Sequence, residues 1–173
     1  MAGTGLGFDF DLLHVIAPVD MDAGAKTGAR IHMRNYAGIV FCLYCGAGVA
    51  NDDWQVDLQQ HDAASAGTSK DLDIISEYHH KQETTLDGDE AWAKVTQTAA
   101  SEVTGNATSA ETENLVAFKT VHASELDVAN GFDWISMNTP DFGAAGAKLG
   151  CVFAIGIRLA HQRTPANLPQ PQA

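Results

Sequence analysis

The sequence predicts an all-β fold, an antiparallel β-sandwich or jelly-roll-like domain, and three observations carry that prediction. Ile39-Val40-Phe41-Cys42-Leu43-Tyr44-Cys45 is apolar on both alternating sets of positions, the pattern of a strand covered on both faces. Immediately downstream, Trp54, Val56 and Leu58 alternate with Gln55, Asp57 and Gln59, the period of a strand with one face in water. Seven or eight such strand candidates follow one another at turn-separated intervals, as in a sandwich.

Taken in order, residues 1–30 read as an extended N-terminal arm. Gly3, Gly5 and Gly7 open it, Phe8 to Ile16 is a short strand candidate ended by Pro18, and Met21 to Gly28 is loop. Residues 31–161 form the sandwich body. Arg30 to Arg34 leads into the apolar strand, and Asp62 to Ser69, small and polar, turns the chain after His61. Leu72 to Tyr78 and Ala91 to Thr96 are strand candidates separated by the Leu86-Asp87-Gly88-Asp89 turn. Thr98 to Thr112, with few apolar anchors, is expected as an exposed loop.

Asn114 to His122 places Val116 and Phe118 on one face of the next strand. Ser124 to Ala129 fits one helical turn, with Ser124 as cap and Asp127 at capping-box spacing. Phe132 to Met137 is a strand stopped by Thr139-Pro140, and Gly143 to Gly150 is a Gly/Ala loop. Cys151, Phe153, Ile155, Ile157 and Leu159 then line one face of a long final strand, with Gly156 and Arg158 opposite. Residues 162–173 carry Pro165, Pro169 and Pro171 and read as an extended Pro-rich tail.

Composition bounds the function. At 173 residues the chain is long enough to bury one core without staples. Its 45% hydrophobic and 18% charged residues are those of a globular protein. A formal net charge of −12, with 10 thinly spread Lys and Arg, argues against nucleic acid as a partner, because phosphate binding needs clustered cations. No stretch approaches the roughly 18–20 apolar residues of a membrane-spanning helix, so no membrane partner is expected. The first residues lack the basic opening of a secretory leader, and synthesis in the cytoplasm is the expectation. Three cysteines do not make a secreted disulfide framework.

The reactive residue types offer no strong motif. Cys42 and Cys45 have metal-knuckle spacing, but three residues apart on a strand the two sulfurs point to opposite faces. They read as buried small hydrophobes. His79-His80 diverge for the same reason, and His14, His32, His61, His122 and His161 are scattered through different elements. Asp52-Asp53 and Asp87-Gly88-Asp89-Glu90 read as turns, since the alternating ligands of a calcium loop are absent. No Gly-x-Ser-x-Gly elbow, dinucleotide fingerprint or phosphate loop occurs. Trp54, Trp92 and Trp134 read as core or subunit contacts, with a sugar-binding face as the alternative. No catalytic residue, no metal ligand and no cofactor is therefore expected.

Leu13-His14-Val15-Ile16-Ala17-Pro18-Val19-Asp20-Met21, followed by Gly24-Ala25-Lys26-Thr27 and Met33-Arg34-Asn35-Tyr36, resembles the opening of small virion proteins of tailed bacteriophages. The shared pattern is a hydrophobic-Pro-hydrophobic-Asp stretch, a Gly/Lys/Thr loop and an Asn-Tyr entering the first long strand. Val56 to Gln60 with Asp62-Ala63 and Lys70-Asp71-Leu72 is similar too, as are Phe132 to Met137 and Asp141. The similarity lies in turn-and-strand signatures rather than catalytic ones.

The resemblance implies a non-enzymatic virion structural protein, a capsid decoration, cement or minor head protein. Its partners would be the major capsid protein and copies of itself, with a trimer expected. Contacts would run through a sheet face and through Phe8, Phe10 and Leu12 of the arm and Pro165, Leu168 and Pro169 of the tail, since extended segments bind by adding strands or lying in grooves. The alternatives are a carbohydrate- or receptor-binding sandwich and a tail or connector protein of the virion.

Overall fold

The structure, a computed structural model, describes residues 4–143, 146–161 and 164–172. The chain is all-β, and two antiparallel sheets pack face to face. The larger sheet has the order β1-β11-β3-β9-β6-β7, with β1 Phe10–Asp20, β3 Tyr36–Cys45, β6 Ile75–Glu83, β7 Ala93–Ala100, β9 Glu113–Phe118 and β11 Leu149–Leu159. The smaller runs β2-β10-β4-β5, with β2 Ile31–His32, β4 Gln55–His61, β5 Ser69–Asp71 and β10 Trp134–Asn138; β8 Glu102–Thr104 pairs with β4.

Between the sheets lies one core. Phe41, Leu43, Val116, Phe118, Tyr78 and Val152 come from the larger sheet, Val56, Leu58, Ile135 and Met137 from the smaller, and Trp54 from the residue just ahead of β4. Trp54 sits at its middle, edge-on to Tyr78 and Phe118 at 5.6 and 6.1 Å between ring centroids. β4 alternates as its sequence alternates, but β3 is covered on one face only. Ile39, Phe41, Leu43 and Cys45 are buried, whereas on the opposite face Val40 is half-buried and Tyr44 exposed, because no second layer packs there among the described residues.

Several expected boundaries move. Residue 30 does not divide the fold. β1 is a strand of the larger sheet, in register with β11 from Phe10↔Ile157 to Asp20↔Leu149, and it buries Leu13, Val15 and Ile16. Pro18 does not end it because β1 lies at the sheet edge, where a missing N–H breaks no ladder, and register shifts between His14 and Val19 absorb the ring. Gly3 lies outside the described residues.

Thr98 to Thr112 is not an exposed loop. β7 runs to Ala100, β8 pairs with β4, and Ser101, Val103, Ser109 and Ala110 are buried. The polar residues there enter the interior because they are hydrogen-bonded. Ser101 N donates to Asp73 Oδ1 at 3.0 Å, Ser109 Oγ to Asp53 Oδ1 at 2.8 Å, and Asn114 Nδ2 to Ser109 O at 3.0 Å. Composition reports none of these partners.

Two smaller corrections concern turns and the tail. Instead of one helical turn capped by Ser124, there are two 3-10 turns, Ala123–Glu125 and Val128–Asn130, the first closed by the Glu125 carboxylate accepting from His122 N at 2.8 Å. The tail begins at residues 162–163, outside the described residues. Its described part forms a 3-10 turn at Pro165–Asn167 and then bridges its own body, Arg30 N to Gln172 O at 2.6 Å and Gln172 N to Arg30 O at 2.8 Å.

Candidate functional site

Strand β11 decides what the outside of the molecule looks like. Gly150, Val152, Ala154 and Gly156 face the core, and the intervening Cys151, Phe153, Ile155 and Ile157 remain partly exposed. The small residues are inside for a steric reason: the Tyr36 ring lies over Gly156, where an added Cβ would come within 2.4 Å of the ring. Sequence placed the large residues of β11 on one face correctly; that face points outward.

Register turns this into a continuous surface. Leu12 stands beside Ile155 and Val40; His14 beside Phe153, Cys42 and Ala117; Cys151 beside Tyr44 and Leu115. Those three rows contain no Asp, Glu, Lys or Arg. Leu12 is 59% exposed, Leu149 65% and Tyr44 42%. Four strands about 4.8 Å apart and roughly seven residues at ~3.3 Å give the patch an extent on the order of 450 Å². That is the size of the largest apolar patch on an ordinary soluble monomer, and such patches are often functional. Charge returns beyond β9, where Lys94 of β7 pairs with Glu77 of β6 at 2.6 Å.

The expected contact residues divide accordingly. Phe10 and Leu12 join this face opposite Ile157 and Ile155, and Phe8 is half-buried in the turn ahead of β1, its N–H donating to Gly5 O at 3.0 Å. Pro165 is exposed and Leu168 half-buried in the tail. Pro169 lines a cavity of about 240 Å³ with Leu13, His32, Tyr36 and Trp134. Val40, Tyr44, Leu115, Cys151, Phe153 and Ile155 belong to the surface and were not singled out from sequence as contacts.

The other reactive groups stay apart. Cys42 and Cys45 occupy opposite faces of β3 as strand geometry requires, and burial pushes both thiols up to about 11, so neither is an activated nucleophile. Trp54 is core; Trp92, 50% exposed, has Lys81 Nζ 5.7 Å above its ring. Trp134 leans on His32 at 4.4 Å within the smaller sheet. No sheet gathers the three tryptophans.

One histidine is placed with care. His61 is 3% exposed and lies between Ser69 Oγ, 2.7 Å from Nδ1, and Ser136 Oγ, 2.8 Å from Nε2. The network continues from Ser136 to Asn138, whose amide donates to Gln59 Oε1 at 3.1 Å and accepts from Gly28 N at 2.9 Å. Burial, aided by Arg30, pushes the His61 ring down to about 4, so it is neutral at physiological pH. With His61 and Ser136 both buried, the group serves the fold rather than a substrate.

Protein-family models show no match to this chain, and the curated proteins contain no match either. Fold and surface together define a β-sandwich with an uncharged, apolar region on the β1-β11-β3-β9 half of one outer sheet face.

Proposed function

We propose that the protein is a non-enzymatic structural component of a bacteriophage virion, a capsid decoration or cement protein that assembles with copies of itself through the outer face of the larger sheet. The observation that carries this is the uncharged apolar surface spanning β1, β11, β3 and β9. A second copy is the occupant that charge favours. Two chains each carrying −12 repel over most of their surfaces, and these three rows are a region where they can meet without opposed carboxylates. Copies paired here bury on the order of 900 Å² in all, less than the roughly 1,200–2,000 Å² of stable interfaces and in the range of weak, reversible association.

The resemblance of residues 13–72 to tailed-phage virion proteins supplies the setting, with the major capsid protein as the second partner. The tail lends less support as a reaching element, because its described part is tied to Arg30 of its own chain.

Light scattering on the purified chain tests the assembly step. An oligomer, dimer or trimer by mass, that Leu12→Glu converts to monomer without loss of fold supports it; a wild-type monomer at high micromolar concentration removes it. Antibody labelling of intact particles by electron microscopy tests the virion setting separately.

A further inference from the structure

At one end of the sandwich the turn after β1, the loop before β4 and the loop after β10 converge. Phe142 N donates to Met21 O at 3.4 Å, Met21 N to Lys148 O at 2.9 Å, and Lys148 N to Asp20 Oδ1 at 3.1 Å. This convergence brings the Asp22 and Asp52 carboxylates against each other, with Asp20 and Asp141 close enough to add their negative charge. Asp52 closes a turn, as expected, its N–H donating to Val49 O at 3.1 Å, and it is wholly buried there.

Counting donors shows what is missing. Asp52 Oδ2 accepts from Val49 N at 2.9 Å. Among the described residues, Asp52 Oδ1 and both oxygens of Asp22 are buried with no hydrogen-bond donor. Lys148, also fully buried, is close by but spends its Nζ on Ser109 O and Ala110 O at 2.5 and 2.8 Å. Buried carboxylate oxygens without donors cost several kcal/mol unless a cation or a shared proton lies between them, and burial together with Asp52 already pushes the Asp22 carboxyl up to about 6. Glycine backbone packs closely on Asp52 and leaves its oxygens unblocked by a side chain: a Cβ on Gly143 would stand 2.2 Å from Asp52 Oδ1, and one on Gly48 3.1 Å from Asp52 Oδ2.

We propose that Asp22 and Asp52 hold a hard divalent cation, Ca²⁺ by preference, at this junction, with Asp20 and Asp141 as flanking charges. The donor set is carboxylate oxygen on irregular loops, which suits Ca²⁺ and its flexible oxygen coordination better than Zn²⁺ or the strictly octahedral Mg²⁺. The ion would tie β1, the loop preceding β4 and the loop following β10 into one unit. Glu83, Asp89 and Glu90 lie within 4.8 Å of one another. There, however, Glu90 accepts from the N–H groups of Asp87 and Gly88, and no buried oxygen is left undonated.

The test is calorimetric titration of Ca²⁺ and Mg²⁺ into chelator-treated full-length chain, with the melting temperature followed in parallel. One Ca²⁺ per chain, with a raised melting temperature and affinity reduced on the order of 100-fold in Asp22→Asn, is expected. Asp22→Asn removes an undonated charge and so folds without the ion. Glu90→Gln, at the exposed cluster, leaves binding intact. Absence of Ca²⁺ binding by the wild type overturns the proposal, and the two acids then share a proton. Binding that survives Asp22→Asn, or that Glu90→Gln abolishes, overturns it equally. None of these outcomes depends on the virion setting.

Discussion

The outer faces of the two sheets are built on opposite terms. The outer face of the smaller sheet carries Asp57, Gln59, His61, Ser136 and Asn138, and the last four form a connected hydrogen-bond network within the chain. The outer face of the larger sheet presents Leu12, Tyr44, Phe153 and Ile155, which no part of the described chain covers fully. A polar face satisfied internally, Asp57 Oδ1 excepted, has little need of a partner; an apolar face left half in water gains by finding one. The fold thus assigns cohesion to one outer face and association to the other.

Removing the centre of the polar face should have the largest effect. His61→Ala leaves two serine hydroxyls without their shared partner and opens a cavity beneath Arg30, at a cost of about 3 kcal/mol. Urea denaturation should show a lower midpoint with an unchanged slope. A loss below about 1 kcal/mol would mean that the face is solvated and not closed within the chain.

The same ring makes stability depend on pH. Its folded value is held near 4 while the unfolded ring has its ordinary 6.5. Between those values the unfolded chain binds a proton that the folded chain does not, so stability is complete above pH 6.5 and falls as pH drops toward 4. The groups facing the ring are Arg30, which opposes its charging, and Asp62, which favours it. The size is about 2–3 kcal/mol, read as the difference between wild-type and His61→Gln denaturation curves, so that the carboxylates titrating in the same range cancel. A flat difference curve would place the ring in water.

Sequence reached the fold class, the two central strands and the face-splitting of Cys42 and Cys45, because period-two alternation and long apolar runs are local signals. It missed what depends on partners distant in the chain. Ser101 and Ser109 read as exposed loop, yet their hydrogen bonds to Asp73 and Asp53 take them inside, and the Asp52 turn, legible as a turn, is buried by elements remote in the chain. β1 read as an arm because Pro18 and its glycines mask an edge strand. β11 shows the limit of pattern alone. Its large and small residues separate cleanly, but only the Tyr36 ring resting on Gly156 fixes which set is inside. A burial rule based on size chooses the wrong face, and the interaction surface goes with it.

On the apolar face, Leu12→Glu should weaken self-association by 10- to 100-fold, as truncating a central contact does, and leave the denaturation midpoint nearly unchanged because Leu12 is 59% exposed. Sedimentation velocity over a concentration series measures it. A variant that unfolds while the wild type is already monomeric would reassign this face to cohesion.

The smallest effect belongs to the charged margin of the same sheet. Lys94 holds the Glu77 carboxyl below the usual range through a direct hydrogen bond, but both side chains are in water, where such pairs contribute little. Lys94→Gln should leave both the melting temperature and the association constant within error, whereas Leu12→Glu moves the latter. That contrast locates the working surface, because the two residues share one outer face and differ only in which half of it they occupy. If Lys94→Gln weakens association as strongly as Leu12→Glu, the contact extends across β6 and β7, and electrostatic pairing rather than apolar burial directs it.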